Sequence, residues 1–96
     1  MSQVRDAKLR SLAAPYEKLT PSASTALTVP AGATYALVKT EGQSVRWLCS
    51  SDNDAPTATD GMLIDVGDEL WFSGELRNLR FIQTSATATL HVHYFG

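Results

Sequence analysis

Two histidines one residue apart, His91 and His93, are the side chains in this chain whose spacing most resembles a metal site. On a strand, positions i and i+2 point to the same face, so both imidazoles could reach one metal ion. A catalytic zinc or iron centre needs a third protein ligand and a surrounding layer of hydrogen bonds that orients the first. The chain has no other histidine, and neither Cys49 nor the carboxylates stand at a ligand-like interval. The pair therefore reads as facing solvent or an interface, and the sequence predicts no metal, no cofactor and no catalytic residue.

The other chemical candidates weaken in the same way. Cys49 ends the run from Val45, which reads as a partly buried strand, and is expected to be an inert thiol with no neighbouring base to activate it. Ser51 to Thr57 holds closely spaced Asp52, Asn53 and Asp54, but it lacks the closing glutamate and the flanking helices of a calcium-binding hand, so turn chemistry explains it. No P-loop, G-x-G-x-x-G or G-x-S-x-G motif occurs. Trp47 and Trp71 are candidate surface-recognition residues, able to stack on a sugar if they share an exposed face, although Trp47 also fits the core. Arg46 and Arg80 neighbour core positions and should point outward, suited to pairing with acidic loops of another subunit.

These residues must be positioned by one small domain. A chain of 96 residues has apolar surface for a single core. With 44% hydrophobic and 19% charged residues it should fold, not remain disordered. The net charge of −2 disfavours direct nucleic-acid binding, which needs clustered Lys and Arg. No apolar run approaches the roughly 20 residues of a membrane span, and the N-terminus lacks the apolar core of a signal peptide. With its single cysteine, the chain is expected to be soluble and made in a reducing cytoplasm, with no membrane partner.

Charge and texture divide the chain in two. Residues 1–24 carry Arg5, Lys8, Arg10 and Lys18 against Asp6 and Glu17, a net +2, punctuated by Pro15 and Pro21. They read as an arm and linker. Val4, Leu9 and Leu12 approximate one helical face, permitting about two turns that would need a surface to dock on. Val4, Arg5, Lys8, Leu9, Arg10, Leu12 and Tyr16 are the expected partner-binding residues of this arm. Residues 25–96 are acidic and rich in Val, Ile, Thr and aromatics between turn formers.

Seven strands are predicted there: Thr25–Val29, Thr34–Glu41, Ser44–Ser50, Gly61–Asp65, Asp68–Ser73, Leu79–Thr84 and Ala88–Phe95. Glu41-Gly42-Gln43, Val66-Gly67 and Gly74–Asn78 look like hairpin turns. Alternation places Leu27, Val29, Tyr35, Leu37, Val45, Trp47, Leu63, Leu70, Phe72, Leu79, Phe81, Leu90, Val92 and Tyr94 in the core. With no second helix to cover a sheet, the expected fold is an all-β antiparallel sandwich or jelly roll of about seven to eight strands.

The run Val29-Pro30-Ala31-Gly32-Ala33-Thr34-Tyr35-Ala36-Leu37-Val38, followed by Glu41-Gly42-Gln43-Ser44-Val45-Arg46-Trp47, resembles small β-sandwich accessory proteins of tailed-bacteriophage virions. Ala55-Pro56-Thr57-Ala58, Gly61-Met62-Leu63, Gly67-Asp68-Glu69-Leu70-Trp71-Phe72 and Leu79-Arg80-Phe81-Ile82 continue the same order of turns and strands, so the resemblance spans Thr25 to Gly96. It implies a non-enzymatic virion component, foremost a head-decoration or capsid-cementing protein. Its implied partners are the major capsid protein or other virion proteins, with self-association, often as a trimer. Tail, neck and fibre-attachment roles and a glycan-binding module stand as alternatives.

Overall fold

Residues 15–52 and 54–96 are described by a computed structural model. The arm residues Val4, Arg5, Lys8, Leu9, Arg10 and Leu12, with the short helix expected of them, lie outside the described residues. Within them the β-rich runs form eight strands: β1 (Tyr16–Leu19), β2 (Thr25–Ala26), β3 (Tyr35–Glu41), β4 (Val45–Cys49), β5 (Met62–Ile64), β6 (Glu69–Ser73), β7 (Leu79–Gln83) and β8 (Thr89–Phe95). Among the described residues no helix is long and apolar enough to cross a membrane.

The strands pair as two antiparallel four-stranded sheets, sheet A in the order β1-β8-β3-β6 and sheet B in the order β2-β7-β4-β5. The pairs β1 with β8, β2 with β7, β3 with β6 and β4 with β5 are those of one long hairpin rolled upon itself, which is the jelly-roll arrangement. The rolling corrects one expectation. The three glycine turns expected to be hairpins each carry the chain across the core from one sheet to the other, and among the described residues β4 with β5 is the one sequential pair. Turn residues specify a reversal of direction and leave the partner strand open. At the β3–β4 corner Gly42 has φ of +91°, and a Cβ there would stand 2.7 Å from the Thr87 carbonyl oxygen.

The domain boundary also moves. Tyr16–Leu19, assigned to the arm, pairs with β8 in the register Tyr16↔His93 to Leu19↔Leu90. The Tyr94 amide donates to the Pro15 carbonyl at 2.7 Å, and Pro21 is buried. A four-residue run with one apolar inward position, Leu19, gives too weak an alternation to announce a strand. Its stability comes from the free edge of β8.

Between the sheets lie Ala36, Val38, Leu90, Val92 and Tyr94 from sheet A and Val45, Ile64, Leu79 and Phe81 from sheet B. Thr40, the buried polar side chain among the described residues, donates to the Gln43 carbonyl at 2.6 Å, so burying it leaves no hydroxyl unmet. The expected core is right for β4, β7 and β8 and out of phase on β3 and β5. Tyr35 and Leu37 point outward, because Ala36, Val38 and Thr40 occupy the inward positions. Leu63 is 48% exposed, and Ile64 takes its place inside. Continuous apolar runs such as Tyr35-Ala36-Leu37-Val38 and Met62-Leu63-Ile64 carry no polar residue to fix the parity.

The face assignment has a measurable consequence. Phe81→Ala should cost about 3–5 kcal/mol in urea unfolding through transfer and cavity terms. Leu63→Ala should stay within about 0.5 kcal/mol. A comparable loss at Leu63 would show that it, and not Ile64, faces the core.

Candidate functional site

Alternation that hides Val38, Val92 and Tyr94 turns the intervening residues onto the outer face of sheet A. Strand register then sets them in rows. Tyr16 on β1, His93 on β8, Leu37 on β3 and Trp71 on β6 form one row across all four strands. Lys18, His91, Lys39 and Glu69 form the next, and Phe95, Tyr35 and Ser73 continue the apolar side. A two-layer sandwich normally turns polar residues outward. Here aromatic and aliphatic groups occupy the centre of the face instead.

The rings organise this face. Trp71 and Phe95 stack with centroids 5.7 Å apart, and Phe95 stacks on His93 at 4.6 Å. Trp71 and Phe95 come from strands on either side of β3, so their rings meet over it and help account for the partial burial of Leu37 and Tyr35. Because the rings lie against one another, much of their flat surface is used internally. Trp71 remains 42% exposed and Tyr16 54%. The Trp71 indole N–H donates to Glu69 at 3.2 Å. Beside this layer an apolar hollow of about 210 Å³ is lined by Tyr16, Leu37, Lys39, His91, Val92 and His93.

A polar chain borders the hollow. His91 Nε2 lies 2.8 Å from Glu41 Oε1, and the Tyr16 hydroxyl lies 2.7 Å from His91 Nδ1. The carboxylate can only accept, so Nε2 carries a proton, and in the neutral ring Tyr16 donates to Nδ1. This order of carboxylate, imidazole and hydroxyl is familiar from general-base sites, but here it ties together strand β1, strand β8 and the end of β3. His91 and His93 do share a face, as their spacing predicts. They do not share a site: both nitrogens of His91 are engaged, and His93 Nδ1 is buried against the aromatic layer without a hydrogen-bond partner among the described residues. Among the described residues no group of three metal-ligating side chains converges.

The remaining candidates are dispersed. Trp47 points between the sheets and meets Phe72 edge-on at 5.8 Å, so Trp47 and Trp71 cannot form one platform. Arg46 and Arg80 face outward as expected, but both donate within their own chain, Arg46 to the carbonyls of Ala58 and Gly61 and Arg80 to those of Arg77 and Leu79. Cys49, read as partly buried, is exposed at the end of β4. The Asp52–Asp54 loop is held by Ser50, whose hydroxyl accepts from the Asp52 amide and donates to Asp54.

Sequence reasoning missed Glu17. It projects inward from β1 at the open edge of the sandwich, where its Oε1 accepts from the Tyr94 hydroxyl at 2.6 Å and from the Thr28 amide at 3.0 Å. Its position in a nominal linker hid it. The one available signal was an acidic residue between Tyr16 and Lys18 on a strand-like alternation.

Burial, reinforced by the bond to Glu17 and its negative charge, holds the Tyr94 phenol well above its ordinary range. A raised folded pKa stabilises fully below the unfolded value of about 10 and is lost as pH rises past it. Urea midpoints of the wild-type chain should therefore fall more steeply above about pH 10 than those of Tyr94→Phe. Parallel curves would remove the Tyr94 contribution. On the outer face, Tyr16→Phe deletes one exposed hydrogen bond and should cost no more than about 0.5–1.5 kcal/mol. A larger loss would make the Tyr16–His91 bond a principal fastening of β1.

Comparison of the chain with protein-family models, with curated proteins and with solved structures finds no match.

Proposed function

We propose that this chain is a structural protein of a tailed-bacteriophage virion, a head-decoration or capsid-stabilising subunit that grips its neighbours through the outer face of sheet A and through its N-terminal arm. The observation that carries the reading is the aromatic face itself. Tyr16, Leu37, Trp71 and Phe95 occupy positions that alternation would give to polar residues, and Tyr and Trp at such positions supply large contact area at little conformational cost. The order of turns and strands from Thr25 to Gly96 supports the virion setting.

Size explains why both a face and an arm are needed. Four strands about 4.8 Å apart and at most seven residues long project roughly 460 Å². A stable interface buries about 800 Å² on each partner. A basic segment docked on a neighbour adds to the contact area, and charge favours contact with an acidic body such as that of another copy. Self-association into a closed ring, with a trimer favoured, and docking on the major capsid protein are the two contacts this reading assigns.

The test uses phage shells that lack the protein. Wild-type chain should sediment with them, while Trp71→Ser and Phe95→Ser should each lower retention at least tenfold and Met62→Ser, on the edge of sheet B, should not. Removing residues 1–14, a cut that spares Pro15 and β1, should also weaken retention. Undiminished retention of both aromatic variants would overturn the role given to the face. Undiminished retention of the truncated chain would overturn the role given to the arm.

A further inference from the structure

Sheet A has two open edges, and what they present is complementary. The Gly74 amide donates to the Thr34 carbonyl, which fixes the residues of β6 that bond to β3. By the alternation of an antiparallel ladder, the backbone N–H and C=O groups of Glu69, Trp71 and Ser73 then point away from β3. At the opposite edge the Tyr94 amide donates to the Pro15 carbonyl, so the backbone groups of Tyr16 and Lys18 point away from β8. Among the described residues no strand pairs with either edge. Strand β6 carries neither proline nor an inward-facing charge, the usual guards of a free edge. Its inward residues, Leu70 and Phe72, are only partly buried.

The strands of sheet A alternate in direction, so the β6 edge of one copy meets the β1 edge of another antiparallel when two sheets stand in line. Outer-face side chains must stay on the outer face, which limits the pairing to steps of two residues. One such register sets Lys18 opposite Glu69 and Tyr16 opposite Trp71, and each of these pairs can exchange both of its backbone hydrogen bonds. A step one way puts Lys18 against Trp71 and Tyr16 against Ser73, and a step the other way puts Lys18 against Gly67 and Tyr16 against Glu69. Lys18 and Glu69 are exposed, and among the described residues neither forms an ion pair. On the inner face Glu17 falls opposite Leu70, where its Oε1 already accepts from Tyr94 and Thr28. A β6 strand paired with its own counterpart offers Glu69 no cation. We propose that β6 of one copy adds to β1 of the next in the Lys18–Glu69 register, joining sheets A head to tail. Such a contact closes a ring where its rotation permits, and it leaves the outer face of sheet A open. The inference deepens the self-association assigned above and rests on that reading for the existence of an assembly.

Sedimentation velocity of the free full-length protein tests it. Wild-type chain should associate, and Lys18→Glu and Glu69→Lys should each weaken association about fivefold or more. The double exchange should recover most of that loss, since opposite charges across a strand pair attract and like charges repel. In a Cys49→Ser background, a chain with Lys18→Cys and a chain with Glu69→Cys should form a mixed disulfide, because opposed Cα atoms of a hydrogen-bonded pair lie about 5.5 Å apart. Neither chain should cross-link to itself. An oligomer indifferent to both charge reversals, or a Glu69→Cys chain that cross-links to itself, would overturn the edge pairing and leave self-association to another contact. A wild-type chain that stays monomeric would overturn both. Shells do not enter these measurements, so either failure leaves docking on the capsid to its own test.

Discussion

The packing of Val38, Val92 and Tyr94 against Val45 and Phe81 determines what every other part of this molecule can do. A strand hides one face and shows the other, so committing these side chains to the interior commits Leu37, His91, His93 and Phe95 to the exterior. Antiparallel register then aligns them with Tyr16 and Trp71 without further instruction. The candidate interaction face is thus a by-product of core parity. A slip of one residue in β3 or β8 would bury the aromatic row and expose the core.

The same parity shows why the sequence is legible in some strands and opaque in others. In Leu79-Arg80-Phe81 and Leu90-His91-Val92-His93-Tyr94 polar residues alternate with apolar ones, and the inward set is read correctly. In Tyr35-Ala36-Leu37-Val38 both faces are apolar, since one packs in the core and the other under the aromatic layer. Larger side chains look like core there, and the small Ala36 is what the crowded interior accepts. The all-β class and the places where strands begin and end follow from turn residues and β-branched runs. The pairing does not, because a rolled hairpin brings together strands such as β1 and β8 that lie far apart along the chain.

The two edges of sheet A differ in a way that bears on function. At one edge β6 presents Trp71 and Glu69. At the other, β1 is a short strand fastened by Tyr16 to His91 and by Glu17 to Tyr94 and Thr28. Through these bonds β1 closes the edge that β8 would otherwise leave open. The histidine pair, the strongest chemical signal in the sequence, belongs to the same architecture: His91 braces the strands and His93 fills the ring stack.

Hydroxyl-radical footprinting of free and shell-bound protein addresses the claim that this face is the grip most directly. Trp71 and Tyr16 should become several-fold less reactive on the shell, while Met62, 58% exposed on sheet B, should react equally in both states. Unchanged reactivity at Trp71 and Tyr16, or protection confined to Met62, would contradict the account.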